Sequence, residues 1–494
     1  FHLGADGSPK EPIALADGGD YYFQSLYFFG EGKLFASYYD QSGGGSTAFI
    51  LDIATGKKTK VERDSFPGGY AVLYNSFGGP DGMYLFDSTV GVYKLDTDAM
   101  TQEMVCNFLN SDFIFSSGSM SYSNLPLASL GDGRFAALRS STKKGKTTTQ
   151  LSVLEPADPA ALQPKYIITV ASAGYAYDFE EQVVNFNLSS EEYRIKYVNY
   201  GTYNTTEDYT LGVKQLKADI LAGNVPDILI ADESFSAADY MNKGVFADLY
   251  TYIDKDETLT RDKFLPNILS ASELNGKLYE LPTKFSVETA YALSSIVDQY
   301  DTWNVAAVQD AMAQLQEGAT VFSNGWTKNT ALSNCLSRNL SAFVDWTTGK
   351  CSFDSEAFQQ LLAFCNSFPA ETSDGDGAIA YASSADIAVD DAMWESDATR
   401  ITNGKQLMST TGMYSFDSYI WNVYAIRDKI TFTGYPTEDG SGSSFELQMP
   451  MAISSVTKYP DAAWDFVSTM IRQTNEDAES MYAFPISQEA FDKK

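Results

Sequence analysis

Histidine is almost missing from this chain: one, His2, stands near the start of 494 residues. Without a second imidazole no Ser–His or Cys–His nucleophile pair can be assembled away from that end. Cysteine is nearly as sparse. Cys106, Cys335, Cys351 and Cys365 show no C-x-x-C spacing and have no histidine beside them, so a Cys/His metal site is not expected. The last three are read as buried free thiols, with a disulfide among them as the alternative. Positive charge is also short, 34 Lys+Arg against 65 Asp+Glu, for a net charge of −31. That balance speaks against nucleic acid as a partner, because phosphate backbones are bound by basic surfaces. It speaks equally against adsorption to anionic lipid. No apolar run approaches the about 18 residues that a membrane span needs. The opening Phe1-His2-Leu3-Gly4 lacks the basic start and apolar core of a signal peptide.

Enzyme and cofactor fingerprints are absent too. There is no G-x-S-x-G elbow, and Gly145-Lys146-Thr147 lacks the upstream glycine of a phosphate loop. Asp374-Gly375-Asp376-Gly377 lacks the third ligand and the closing Glu of a calcium loop, and is read as a solvated turn. Neither a metal nor a cofactor is therefore expected. Paired carboxylates for glycoside hydrolysis have no fixed spacing, and 65 acidic residues leave that constellation open.

What is present is the composition of an ordinary soluble protein, 44% hydrophobic and 20% charged, at a length that implies two or three domains. Residues 1–155 read as all-β, with short Tyr/Phe/Val/Leu runs between Gly, Asp and Ser turns. A loose repeat recurs. "GEGKLFASYYD", "GPDGMYLFDS" and "LGDGRFAALRS" place a turn glycine at 32, 82 and 133, each before a strand. "AFILDIATGKK", "GVYKLDTDAM" and "LSVLEPADPA" supply the following strand of each unit. A period near 50 with several strands per unit is propeller-like. Three units are fewer than a closed ring uses, so a partial propeller-like domain is expected, with an irregular β-sandwich as the alternative. The proline-rich stretch at residues 156–165 is the linker.

An α/β pattern follows. Tyr166–Ala171 is an expected buried strand. Phe179–Phe186 is an expected helix with Phe179, Val183 and Phe186 inward, and Arg194–Val198 is the next strand. The stretch from Ala218 to Ile253 organises the rest. Leu216, Ile220 and Leu221 form a helical apolar stripe, and Ala222-Gly223-Asn224 stops the helix. Ile228-Leu229-Ile230 is a short strand buried on both faces. Ala231-Asp232-Glu233-Ser234 lies beyond its carboxyl end, where open α/β sheets bind ligands, and a further helix starts near Ala237. Downstream, a turn at Thr348-Gly349 precedes a helix with Phe358, Leu361, Leu362 and Cys365 inward. "ITNGKQLMSTTGMYSFDSYI" reads as helix end, strand, then loop. Pro460–Ile471 is an amphipathic helix with Ala463, Phe466, Val467 and Met470 on its apolar face.

The ordered pieces "LKADILAGNVPDILI", "MNKGVFADLYTYID" and "NGKLYELPTKFSVETAYAL" resemble the extracellular solute-binding proteins of ABC importers, most closely the maltose-binding type, family 1. The resemblance runs from about Lys165 to the C-terminus. It implies a bilobal periplasmic-binding-protein-like type II fold preceded by the all-β domain. Lobe one would be residues 166–287 and 445–494, and lobe two residues 288–444. It further implies an exported receptor at the cell surface, a lipoprotein whose N-terminal anchor is removed or missing, and an ABC transporter permease as partner.

Such a receptor holds a small polar ligand on aromatic faces and a few fixed hydrogen-bonding groups. The chain is 14% aromatic with 31 Tyr, and an oligosaccharide is the expected ligand. One aromatic face covering about 100 Å² of a sugar contributes roughly 2.5 kcal/mol before ordering costs. The candidate contacts are Tyr175 and Tyr177 after the first lobe-one strand, and Asp232 and Glu233 after Ile230. Glu288 at the crossover, Trp326 in "FSNGWTK", and Tyr414 with Phe416 in "TGMYSFDSYI" complete the set. The resemblance places the carboxylates on ligand hydroxyls and the second-lobe aromatics on ligand rings. Trp303, Trp346, Trp394, Trp421 and Trp464 are read as core or surface aromatics. No catalysis is expected. The alternatives are a glycan-processing enzyme with its site in the β domain, and a non-transport surface sensor or adhesin.

Overall fold

The structure is a computed structural model. It describes residues 8, 11–12, 14, 21–28, 32–40, 45–61, 76–87, 91–96, 99, 101–108, 110–113, 127–143, 146–158, 165–174, 179–205, 207–231, 235, 240, 243–345, 348–370, 395–476 and 483–493. The chain divides into two compact units, Phe1–Phe235 with Ile453–Phe466, and Ser236–Ala452 with Val467–Lys494.

The first unit opens with three separate antiparallel sheets. The first holds β1 (Tyr21–Phe28), β2 (Lys33–Asp40), β3 (Gly45–Asp52) and β4 (Lys58–Val61) in sequential order. The second holds β5 (Ser76–Gly79), β6 (Gly82–Asp87), β7 (Gly91–Asp96) and β8 (Thr101–Asn107), and the third β9 (Leu127–Gly131), β10 (Arg134–Lys143) and β11 (Lys146–Leu154). The three glycines of the sequence repeat sit at the turns, each with a positive φ. Side chains alternate across each strand, so each sheet buries one set against its neighbour. Phe35, Ala48, Ile50 and Val61 of the first sheet pack with Met83, Leu85 and Leu95 of the second. On the other face of that second sheet, Phe77, Tyr84, Phe86 and Val92 pack with Leu127, Phe135 and Ala137 of the third. The expected three-part β region is thus three stacked sheets, and no closed propeller is formed among the described residues. Residues 159–164 of the expected linker lie outside them.

The same unit continues as a parallel sheet. β12 (Tyr166–Ser172) lies between β13 (Tyr193–Asn199) and β14 (Ile228–Ile230), in register Val170–Tyr197 on one side and Val170–Ile228 on the other. α1 (Phe179–Ser189) buries Phe179, Val183 and Phe186 as expected, the two phenylalanines edge-on to Phe466. α2 (Leu211–Leu221) buries Leu216 and Ile220 and ends before Gly223, whose φ is +88°. Two expectations need correction. Leu221 is 75% exposed, because one residue past Ile220 turns about 100° around the helix. Tyr166 and Ile167 are exposed as well, since β14 pairs only with Val170–Ser172. The helix expected near Ala237 lies outside the described residues.

Asp227 ties this sheet together. Thr169 donates to its Oδ2 through both backbone N–H and hydroxyl, each at 2.8 Å, and the Thr457 hydroxyl donates to Oδ1 at 2.6 Å. The Ser454 N–H also donates to the Asp227 carbonyl at 2.9 Å. The β region is fastened to the parallel sheet by Arg194 on β13. It pairs with Asp112 at 2.7 Å and donates to the Asn110 carbonyl at 3.1 Å.

The second unit is built on β15 (Lys284–Leu293), a ten-residue strand. On one side of it runs β16 (Met408–Met413), on the other β17 (Ile430–Phe432) and β18 (Ser444–Gln448), all antiparallel. Ala290 and Ala292 of β15 enter a core shared with α3 (Lys328–Phe343) and α4 (Glu356–Asn366). In α4, Leu361 and Cys365 are buried as expected and Phe358 packs at the edge of the core. Leu362 is exposed instead, one residue around the helix from Leu361, and Phe364 takes the inward place. Cys335 and Cys365 are buried free thiols, whereas Cys351 is exposed on a two-residue strand. The segment after Met413 is helix rather than loop. α5 (Phe416–Ile426) starts after an extended Ser415, with Asp417 in its first turn, and ends at Arg427 with φ +57°. α6 (Pro460–Glu476) is longer than expected but buries Ala463, Phe466, Val467 and Met470 as its pattern required.

Candidate functional site

Strand alternation decides which β15 residues share a face. Ser286 and Glu288 point one way, Phe285 and Val287 the other. The cross-strand neighbours of Glu288 are Gly412 on β16 and Ser444 on β18. Both are small, so its carboxylate has room over the sheet. Glu446 stands opposite Ser286, which places it diagonally from Glu288 on the same face. The Ser286 hydroxyl donates to Glu446 Oε2 at 3.4 Å and accepts from the Gln448 amide at 3.2 Å. Burial raises the Glu288 carboxyl above its ordinary range, the Arg338 charge pulls it back, and the Glu446 charge adds to the rise.

Arg338 reaches this face from α3. Its guanidinium carbon lies 4.0 Å from the centroid of the Tyr435 ring, a cation–π contact. Its Nη1 donates to the Asn334 carbonyl one turn back at 3.1 Å. Its Nε is buried and has no hydrogen-bond partner among the described residues. Tyr435 is held from behind by its own loop: its N–H donates to the Gly442 carbonyl at 2.9 Å. A Cβ on Gly442 would stand 1.7 Å from the Tyr435 carbonyl oxygen, so this approach requires glycine. Trp326 extends the row, its ring centroid 6.2 Å from that of Tyr435. It stacks at 4.0 Å and 20° on the fully buried Phe322, which fixes its plane.

Tyr414, just past β16, is about two-fifths exposed at 39%. Its ring folds back over Gly412. Burial first, then the charges of Glu288 and Glu446, raise its hydroxyl above the usual tyrosine range. Phe416 goes elsewhere: it packs edge-on to Phe484 at 5.3 Å and against Phe491 at 5.7 Å. Those two rings also pack on Phe285, on the strand face opposite Glu288. Of the sequence candidates, then, the structure assembles Glu288 and Tyr414 directly. Trp326 joins them through Tyr435 and Arg338, and Phe416 stays apart. Tyr175, Tyr177, Asp232 and Glu233 lie outside the described residues.

Four members of the group were not anticipated: Arg338, Gly412, Tyr435 and Glu446. Arg338 sits in "LSNCLSRNLSAF", where it looks like one more polar position of an amphipathic helix. Tyr435 carried a usable signal, an aromatic between turn residues in "TGYPTEDGSG". The assembled group offers two carboxylates, one guanidinium, the part-exposed ring of Tyr414 and the partly buried ring of Trp326, while Tyr435 is 4% exposed and lies beneath the guanidinium. That is a set for hydrogen-bonding and stacking a polar molecule. Among the described residues no group of three or more His, Cys, Asp or Glu is placed to hold a metal ion. No helix among them is long and apolar enough to cross a membrane.

The parallel sheet around β12 and the antiparallel sheet around β15 define an α/β protein of two units. A family model described as bacterial extracellular solute-binding protein matches residues 191–476, more than half of the chain. The chain belongs to that family, and the type of fold expected from the sequence is the one membership brings. A search of curated protein sequences found no match. Among solved structures, the sugar-binding protein MalE from Xanthomonas citri is similar at 11% identity and a TM-score of 0.45, covering 66% of this chain and 82% of that one. An ABC substrate-binding protein from Listeria monocytogenes, in complex with cycloalternan, has 17% identity and a TM-score of 0.40, over 66% and 82%. The GacH receptor of Streptomyces glaucescens, studied with acarbose, has 16% identity and a TM-score of 0.40, over 67% and 82%.

Proposed function

We propose that the chain is the capture receptor of an ABC importer and that its ligand is a neutral oligosaccharide. The observation that carries this reading is the unspent Nε of Arg338, buried on the face of Tyr435 beside the half-buried Glu288. A buried donor without a partner costs free energy, and a ligand hydroxyl would repay it. Glu288 and Glu446 would accept from further hydroxyls, Tyr414 and Trp326 would cover sugar faces, and the buried Tyr435 would hold Arg338 in place. Tyr175, Tyr177, Asp232 and Glu233, in the sequence-derived lobe one, are proposed as the remaining contacts. Phe416 is proposed to support the site rather than touch the ligand. The receptor would bind without catalysis. Its partner would be a permease, its attachment a lipid-anchored N-terminus, and its β region an accessory module of the propeller-like kind.

A thermal-shift screen against oligosaccharides, peptides and polyamines tests the assignment. A ligand at about 100 times its Kd adds about 2.7 kcal/mol of stability. A sugar should raise Tm and emerge unchanged; release of reducing ends would move the protein into the enzyme class. A shift only with peptides or polyamines would overturn the carbohydrate reading.

A further inference from the structure

We propose that Gly412 is a positioning residue of the ligand site, its missing side chain forming the notch in which Glu288 and Tyr414 meet; this rests on the site reading above. A Cβ on Gly412 would stand 2.8 Å from Glu288 Oε1, and 2.9 Å from both the hydroxyl and Cε2 of Tyr414. Contacts that short do not occur, so any side chain at 412 must displace both. The backbone conformation does not account for the glycine. Gly412 lies outside the left-handed region, unlike Gly434 in the neighbouring loop at φ +70°.

The kind of atom met separates this position from Gly434 and Gly442 in the neighbouring loop. A Cβ on Gly434 or Gly442 would run into backbone of the opposing loop strand, at 2.3 and 1.7 Å. Such a clash damages the fold. At Gly412 the atoms met are the far ends of two side chains, which can swing away. Alanine there leaves the sheet intact and moves the carboxylate and the ring. The register explains why the pair converges at this place. Gly412 is the direct cross-strand partner of Glu288, and Tyr414 is two residues on, on the same face of the chain. Ser444, the partner on the other side, leaves the carboxylate free to lean toward the notch. Gly412 therefore fixes the distance between an acceptor and an aromatic face, and with it the shape of ligand that fits.

The experiment compares G412A, Y414A, E288Q and the G412A/Y414A double variant with the unaltered chain. Maltotriose, xylotriose, mannobiose and raffinose are titrated in turn, and the 13C-tyrosine ring spectrum is recorded, with the Tyr414 signal assigned through Y414F. In G412A the Tm should stay within about 2 °C, the Tyr414 signal should move, and affinity for the sugar bound by the unaltered chain should fall at least about tenfold. The double variant should lose less affinity than the product of the two single losses, because with the ring gone the alanine Cβ meets only Glu288, which then has room to shift. An unmoved Tyr414 signal, an unchanged affinity, or collapse of the fold in G412A would each overturn the proposal. If none of the sugars binds the unaltered chain, the carbohydrate reading fails, while the Tyr414 signal still decides the role of Gly412.

Discussion

The Arg338 guanidinium lies over Tyr435, its central carbon 4.0 Å from the ring centroid. One charged group is thus held by an aromatic face, with a nitrogen left over for a ligand. Lysine cannot reproduce this geometry, since its ammonium is a point charge without a planar fork. R338K should therefore lose affinity nearly as far as R338M, by about tenfold or more. Calorimetry with the ligand found in the screen checks this. Full affinity in R338K would mean that only the charge matters.

Glu288 should cost the fold stability near neutral pH. Its carboxyl is raised by burial and by Glu446, so the folded chain holds that proton more tightly than the unfolded chain does. The linked stability is present below the unfolded value and is lost as pH rises through the folded one. E288Q removes the ionisation, and its Tm at pH 7 should exceed that of the unaltered chain by about 1–2 °C. The gain should vanish at pH 4. A gain of equal size at both values would assign the effect to something other than this carboxylate.

Trp326 packs against the core and, in the function proposed, also faces the ligand. W326A removes a ring stacked on Phe322 and should lower unfolding stability by about 2 kcal/mol, less than a fully buried tryptophan would cost. It should also weaken binding at least about tenfold. W326F keeps the stacking and should restore most of the stability. Chemical denaturation and calorimetry separate the two effects.

The cysteines should differ sharply in reactivity. Cys351 is exposed, while Cys335 and Cys365 are buried in one core. The Cys335 thiol donates to Cys365, which pushes it further above the ordinary thiol range. A thiol reagent on the native chain should modify Cys351 first and spare Cys335 and Cys365 until unfolding, because burial keeps the reagent from both even though the Cys335 hydrogen bond lowers the Cys365 thiol. Early labelling of Cys335 would contradict the packing of α3 against α4.

Asp227 should be intolerant of substitution. Its carboxylate takes three hydrogen bonds from Thr169 and Thr457, joining segments 230 residues apart in sequence. D227A leaves those donors unmet and should cost about 2–3 kcal/mol. D227N keeps one acceptor oxygen and should cost less. Urea unfolding followed by circular dichroism measures both.

Much of this fold was legible because its signals are local. Phe179, Val183 and Phe186 recur at helical spacing, Ile228–Ile230 is a short apolar run between turn residues, and Gly223 stops a helix. The errors arose where neighbours decide the outcome. Leu221 and Leu362 each follow a buried residue by one position, and only packing tells which of the two turns inward. α5 was missed because its aromatic run lacks the polar face that marks an amphipathic helix. Of the candidate site, the sequence pointed to Glu288 and Tyr414 through the family resemblance. It did not point to Arg338 and Gly412, because their roles depend on strand register and on a ring approaching from another segment. Neither leaves a trace in the order of residues along the chain.

A structure determined with the bound oligosaccharide tests the central claim most directly. The account predicts a ligand hydroxyl within hydrogen-bond distance of Arg338 Nε and a sugar face against Tyr414 or Trp326. A ligand seated away from β15, with that nitrogen still without a partner, would contradict it.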